Sequence, residues 1–274
     1  MITDELKKQI ESTIQLENIT QAFEQSAALY LFKTKNKILK SRKFFIEAWA
    51  TFDIVKQLVI PSKITSSKKL IIAISPNQGM YGNLMWKLID KVEKLYQEQR
   101  ANLIVIGKKG KSHFSRDKVR SVVFFELPDE TNYPQISEVA DAITKYSQIS
   151  IVYPRYISLF EQEIVVVRLN EGKEQAKESV QKEKIDTKRY LFDPNWLEVA
   201  GYFDKAMLSL IFYGYFSESM LAYKAAQMVA MKKAYDNAKD NLVELKFKYS
   251  RMNRELIDSR MRELLAARKI WEKI

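Results

Sequence analysis

Apolar residues recur along the last sixty positions, Tyr215 to Ile274, with the spacing of a helix seam. Met228, Met231, Tyr235, Ala238, Leu242, Leu245, Tyr249, Met252 and Leu256 alternate steps of three and four, a period of 3.5 held over four heptads. The stretch contains neither glycine nor proline. An unbroken helix over it reaches roughly 90 Å, longer than an ordinary globular domain uses, and it needs a partner along its seam.

The first proline is Pro61 and the first glycine Gly79, so residues 4 to 60 also predict one or two long helices, with Thr3 or Asp4 as N-cap. A seam is read here at Leu16, Ile19 and Phe23, and again at Phe45, Ala48, Phe52, Val55 and Val59. Two heptad-bearing helices at opposite ends of one chain pair most simply in antiparallel fashion, the intervening domain returning the chain to its start.

Between them the pattern changes to short β-type runs. Leu70 to Ile74 ends in a glycine loop, Gln78-Gly79-Met80-Tyr81-Gly82. A helical pattern follows from Asn83 to about Arg100, and a second run, Asn102 to Ile106, ends in Gly107-Lys108-Lys109-Gly110. Val119 to Leu127, Gln148 to Tyr153 and Glu163 to Arg168 are further strands, and residues 135 to 147 are helical. Strand, glycine loop, helix, strand is the mark of an α/β unit with a parallel sheet. Residues 170 to 187 are polar and read as a surface loop or hairpin extension. After Asp193-Pro194-Asn195 the chain turns helical near Trp196, with a bend expected at Gly201 or Gly214.

Composition narrows the classes. With 46% hydrophobic residues the 274-residue chain can bury a core in one or two domains. The longest apolar run, around Leu208 to Phe216, is about half a membrane span, and the N-terminus has no export signal. The absence of cysteine excludes disulfides, zinc-thiolate sites and cysteine nucleophiles and favours the cytosol. A formal net charge of +11 asks for an acidic partner: nucleic acid, an anionic lipid surface or acidic protein segments. The excess gathers at Lys33, Lys35, Lys37, Lys40, Arg42 and Lys43 and along the last helix, although a charged face is first of all a solvated one.

Candidate chemistry is sparse. Gly107-Lys108-Lys109-Gly110-Lys111-Ser112 has two residues between its glycines where a phosphate loop has four, and Gly79 to Gly82 lacks the three-glycine dinucleotide pattern. Both read as tight turns. His113 is the only histidine and reads as a surface side chain; Glu126, Asp129 and Glu130 read as an acidic loop. No catalytic residue, cofactor site or metal site is assigned. Lys246-Phe247-Lys248-Tyr249 interleaves aromatics with lysines as a nucleic-acid stacking surface does, but Tyr249 lies on the seam and core packing is the better reading. Leu264, Leu265, Ile270 and Trp271 form an apolar tip which a helix starting at Thr3 does not reach.

Taken together, several segments resemble the γ subunit of F1-type rotary ATPases over nearly the whole chain. Ile10-Glu11-Ser12 and Ile19-Thr20-Gln21-Ala22, with Ala27 and Ala28, match its first helix; Gln78 to Leu84 is similar to its Arg-Gly-Leu-Cys-Gly-Gly-Leu-Asn segment. Ile106 to Gly110 matches its Ile-Gly-x-Lys-Gly turn and Phe192-Asp193-Pro194 its Phe-Glu-Pro. Met228 to Met231, Asp236-Asn237-Ala238, Leu245 and Tyr249 match its C-terminal signature.

The resemblance implies a non-catalytic central shaft: the terminal helices paired inside a ring of three α and three β subunits, and the α/β domain as a foot near a membrane-associated rotor or adaptor subunit. The shaft's asymmetry would hold the three β subunits in different states and link ATP turnover to rotation. The fold expected is α/β plus a long antiparallel coiled coil around a Rossmann-like domain. Residues 1–65 are its first helix, 66–190 the foot and 191–274 the last helix. Expected contacts with the ring's sleeve and catch are Asn253, Arg254, Asp258, Met261, Leu264, Leu265, Ile270 and Trp271. Lys33, Lys35, Lys37, Lys40 and Arg42 are expected against acidic lever loops.

The implied setting is cytoplasmic, peripheral to the inner face of the cell membrane, with no nucleic acid and no membrane span. Asn18 and Tyr30 stand where the family usually has lysines, and Gln227 where it has arginine. Asn253, Arg254 and Asp258 replace its Arg-Gln pair and following Thr. Such drift is similar to the divergent F1-like ATPases of some wall-less bacteria, in which ATP hydrolysis drives work other than proton transport, including gliding. The competing classes are a nucleotide-dependent α/β enzyme with helical arms and a basic coiled coil that binds nucleic acid.

Overall fold

A computed structural model describes residues 2–57, 69–115, 122–131, 133–143, 146, 148–169 and 196–271. Side chains are described at these positions except 2, 39, 41–57, 133, 134, 196–204 and 267–271. The polar stretch 170–187 and Val59 therefore lie outside the described residues, and the seam expected from Phe45 to Val55 lies outside the described side chains. The chain divides into two compact units, Met1–Ser26 with Met228–Ile274, and Ala27–Gln227.

The larger unit is built on a five-stranded sheet in the order β3-β2-β1-β4-β5. Its strands are β1 (Lys69–Ile74), β2 (Asn102–Ile106), β3 (Val122–Phe125), β4 (Gln148–Tyr156) and β5 (Gln162–Arg168). β1 pairs in parallel with β2 and with β4, and β2 with β3; β5 returns antiparallel on β4 through a tight turn. The continuous runs Leu70–Ile74 and Leu103–Ile106 are buried on both faces, as a parallel sheet covered on both sides requires.

One face, through Ile71, Ala73, Leu103 and Val105, packs on Leu88 and Val92 of α2 (Leu84–Gln99) and Phe114 of α3 (Lys108–Phe114). The other, through Leu70, Ile72, Ile74, Ile104 and Ile106, packs on Ile136 and Val139 of α4 (Tyr133–Ile143). It also packs on Phe212, Phe216 and Tyr223 of the last helix, α5 (Trp196–Trp271). The strands and α2 stand where the periodicity put them, except that β3 ends at Phe125, short of Leu127, and residues 119–121 of the run lie outside the described residues. The short helix α3 was hidden by its glycines, since Gly110 lies within it.

The long helices are α1 (Ile2–Gln57) and α5. Thr3 and Asp4 lie inside the first turn of α1 and do not cap it; Asp4 and Glu5 there face the positive end of the helix dipole. α5 continues as helix through Gly201 and Gly214, where a bend was expected.

In the smaller unit the two helices run antiparallel. The Lys7 ammonium lies 5.8 Å from the Tyr249 ring centre, and Glu24, farther along α1, acts on Lys232, farther back along α5. On α5, Met231, Ala238 and Leu242 are buried and Met228, Tyr235, Leu245, Tyr249 and Met252 half-buried, so its seam is the one read from the sequence as far as Met252; Leu256, read as its last position, is 43% exposed.

The α1 seam agrees with the sequence reading only at Phe23. Leu16 and Ile19 are 50% and 52% exposed, and the inward positions are Leu6, Ile10, Thr13, Glu17, Thr20, Phe23 and Glu24. Thr13 and Thr20 can be buried because each hydroxyl donates to a carbonyl of its own helix, Gln9 at 2.7 Å and Leu16 at 2.8 Å. Small polar residues thus share the contact with Leu6 and Ile10, while Leu16 and Ile19 turn outward.

Candidate partner interface

In a sheet of this kind a ligand enters at the carboxyl ends of the strands, where neighbouring connections leave in opposite directions. Here that point lies between β1 and β4, and the chain's own side chains fill it. The Tyr223 hydroxyl of α5 donates to the carbonyl of Ile74, the last residue of β1, at 3.0 Å, and the Tyr81 ring lies 5.2 Å from the Tyr223 ring. Burial raises both phenols well above their ordinary pKa, Tyr81 further through the Asp129 carboxylate and Tyr223 through Tyr81.

The two glycine loops close against each other at the same edge. Gly107 has φ +99, and a Cβ there would stand 2.1 Å from the Ser75 carbonyl oxygen; one on Gly110 would stand 2.4 Å from Ser75 Oγ. Ser75 Oγ donates to the Ile106 carbonyl at 2.6 Å and accepts from the Gly110 N–H at 3.0 Å. These glycines permit backbone contact between two loops, and their N–H groups do not line a phosphate cradle.

Two of the three acidic residues near β3, Glu126 and Asp129, are held in pairs. Glu126 accepts from Lys111 at 2.9 Å, which holds its carboxyl below the usual range. Asp129 meets Lys224 of α5 at 3.0 Å and accepts from Asn77 at 3.1 Å. His113, 29% exposed at its side chain, contacts Glu93 at 3.1 Å and lies edge-on to Trp86 and Phe114. Among the described residues, no group of three or more His, Cys, Asp or Glu side chains is placed to hold a metal ion, and no helix is long and apolar enough to cross a membrane.

Surfaces remain. In the larger unit Lys33, Lys35, Lys37 and Lys40 of α1 are exposed, Lys35 leaning over the Tyr156 ring at 5.8 Å; the Arg42 side chain is not described. In the smaller unit Lys7 stands opposite Tyr249 and α1 begins five residues earlier. α5 therefore runs past the start of α1 from about Arg254 onward.

About that level Asn253 and Arg254 are exposed, and beyond it so are Asp258, Met261 at 54%, Leu264 at 67% and Leu265 at 55%. The Ile270 and Trp271 side chains lie outside the description. The outward face is also apolar lower down, at Leu16 and Ile19 of α1 and at Val243 and Phe247 of α5, the last two 66% and 70% exposed. Reading the sequence missed these positions. A signal was present: on α1 the three-four pattern also fits Thr13, Glu17 and Thr20, which leaves Leu16 and Ile19 over.

The chain is similar to known proteins over nearly its whole length. A family model described as ATP synthase matches residues 3–268. An ATP synthase gamma chain of Alkaliphilus metalliredigens is 25% identical over 279 residues, covering 96% of each chain. One of Clostridium botulinum is 26% identical over 286 residues, covering 95% of each. Among solved structures, a chain of the Euglena gracilis mitochondrial ATP synthase, in a structure of OSCP, F1 and c-ring, shares the fold. Its TM-score is 0.72 at 17% identity, over 97% of this chain and 93% of that one. By the family model that spans residues 3–268, the chain belongs to the ATP synthase gamma family.

Proposed function

We propose that this protein is the non-catalytic central shaft of a rotary ATPase, turning inside a ring of α and β subunits and coupling ATP hydrolysis or synthesis there to rotation. The observation that carries the reading is the α5 end that outruns α1 with Met261, Leu264 and Leu265 exposed: an apolar helix end of this kind needs a protein socket. Residues 1–65 and 191–274 supply the shaft and 66–190 the foot, which meets a membrane-associated rotor or adaptor subunit.

Met261, Leu264, Leu265, Ile270 and Trp271 seat in the sleeve, and Asn253, Arg254 and Asp258 make the polar catch. Lys33, Lys35, Lys37, Lys40 and Arg42 meet acidic lever loops by screened attraction. The complex works at the cytoplasmic face of the membrane without this chain entering it. The relatives named above are ATP synthase chains and lend a gliding load no support. The filled mouth of the sheet speaks against a nucleotide enzyme.

Removing Leu264 to Ile274 tests the proposal: the truncated chain assembles poorly with the ring and loses coupled turnover. Unchanged assembly and turnover would overturn it, as would tight nucleotide binding by the isolated chain.

A further inference from the structure

Four elements of the larger unit converge on two consecutive residues of α5. Tyr223 donates to the end of β1 at Ile74. Lys224 pairs with Asp129, just beyond β3, with side chains only 12% and 21% exposed, and its ammonium lies 5.8 Å from the ring centre of Tyr30 on α1. Asp129 is held in turn by Asn77, from the loop after β1, whose amide also donates to the Leu127 carbonyl at 2.6 Å.

An ion pair this far from water adds little stability over an apolar pair of the same size, because desolvation offsets the attraction. Phe212, Phe216 and Met220 already hold α5 on the sheet. Apolar attraction is non-directional, however, and on a helix that also carries Leu208, Ile211, Tyr213 and Tyr215 it does not by itself choose one azimuth. A paired charge and a hydroxyl aimed at one carbonyl are directional, and they stand on successive residues of one helix.

We infer that Lys224–Asp129, with Tyr223–Ile74 beside it, is a rotational key: it fixes the azimuth of α5 on the sheet, so that torque passes between the long helix and the α/β domain without slip. Lys224 and Asp129 are then positioning residues for energy coupling, a role that rests on the shaft reading. Tyr30 closes the key from the α1 side, its ring face taking the cation.

The assembled complex tests this. The chain has no cysteine, so Glu138→Cys, at an exposed position on α4, gives it a single attachment point for a probe on the α/β domain. Unloaded ATP hydrolysis and the stall torque delivered to the probe are measured for the parent, Lys224→Met, Asp129→Asn, the double variant and Lys224→Arg. The expected result is retained hydrolysis with lost stall torque in both single variants, no further loss in the double, and recovery in Lys224→Arg.

Parental torque in the single variants overturns the proposal. If a single variant fails to fold with one charge left unpaired, the double variant decides, because it buries neither charge; parental torque there is equally fatal. A parent chain that neither assembles nor turns overturns the shaft reading instead, and is detected before any variant is compared.

Discussion

The Tyr223 hydroxyl and the Ile74 carbonyl oxygen meet at 3.0 Å with both residues buried, in the place where a parallel sheet would otherwise admit a ligand. Replacing Tyr223 by Phe keeps the ring against Tyr81 and removes the donor. The expected cost is about 1–3 kcal/mol for a carbonyl left without this donor, seen as a lower unfolding midpoint of the isolated chain. A midpoint equal to the parent's would show that the bond contributes nothing.

Gly107 and Gly82 both have positive φ, yet they differ in surroundings. A Cβ on Gly107 collides with the Ser75 carbonyl, whereas nothing lies within 4 Å of one on Gly82. Gly82→Ala should cost only the left-handed backbone strain, about 1–2 kcal/mol. Gly107→Ala adds the collision and should leave little folded protein. Equal stabilities of the two variants, by chemical unfolding, would contradict the packing of the two loops.

The outward placement of Leu16 and Ile19 predicts that Leu16→Ala and Ile19→Ala change the stability of the isolated chain by no more than about 0.5 kcal/mol. Leu242→Ala, in the seam, should cost about 2–3 kcal/mol. Urea titration of the three variants separates the cases. A Leu16→Ala penalty as large as that of Leu242→Ala would move the α1 seam back to the apolar residues.

Burial, then the nearby Glu218, pushes the Tyr215 phenol up to about 12 from an ordinary value of 10.0, and burial raises Tyr30, Tyr81 and Tyr223 in the same direction. The folded chain therefore holds protons that the unfolded chain has released between pH 10 and 12. Their contribution to stability is whole below pH 10 and is lost as pH rises through that window. Absorbance of tyrosinate should show a late group appearing together with loss of helical circular dichroism. All fourteen tyrosines ionising near pH 10 in a chain that stays folded would refute it.

Strands and the α5 seam were legible because their signal is apolar and local: Leu70–Ile74 is buried throughout, and Met231, Ala238 and Leu242 keep step along one helix. The α1 seam was not, because Thr13 and Thr20 satisfy their hydroxyls on their own backbone and so tolerate burial that their polarity disguises. At the candidate interface, the exposed tip followed from the heptad count and the start of α1. Lys224 and Asp129 gave no sign, since pairing between residues so distant in sequence depends on the fold that brings the β3 loop beneath α5.

The threonines between α1 and α5 have one more implication. Two free helices whose contact set Thr13, Thr20 and Ala238 among its apolar residues would associate less tightly than an all-aliphatic pair. Here both belong to one polypeptide, so each meets the other at the high effective concentration that a covalent link provides. Association need not be strong to be permanent, which releases the larger aliphatic residues to serve a neighbour.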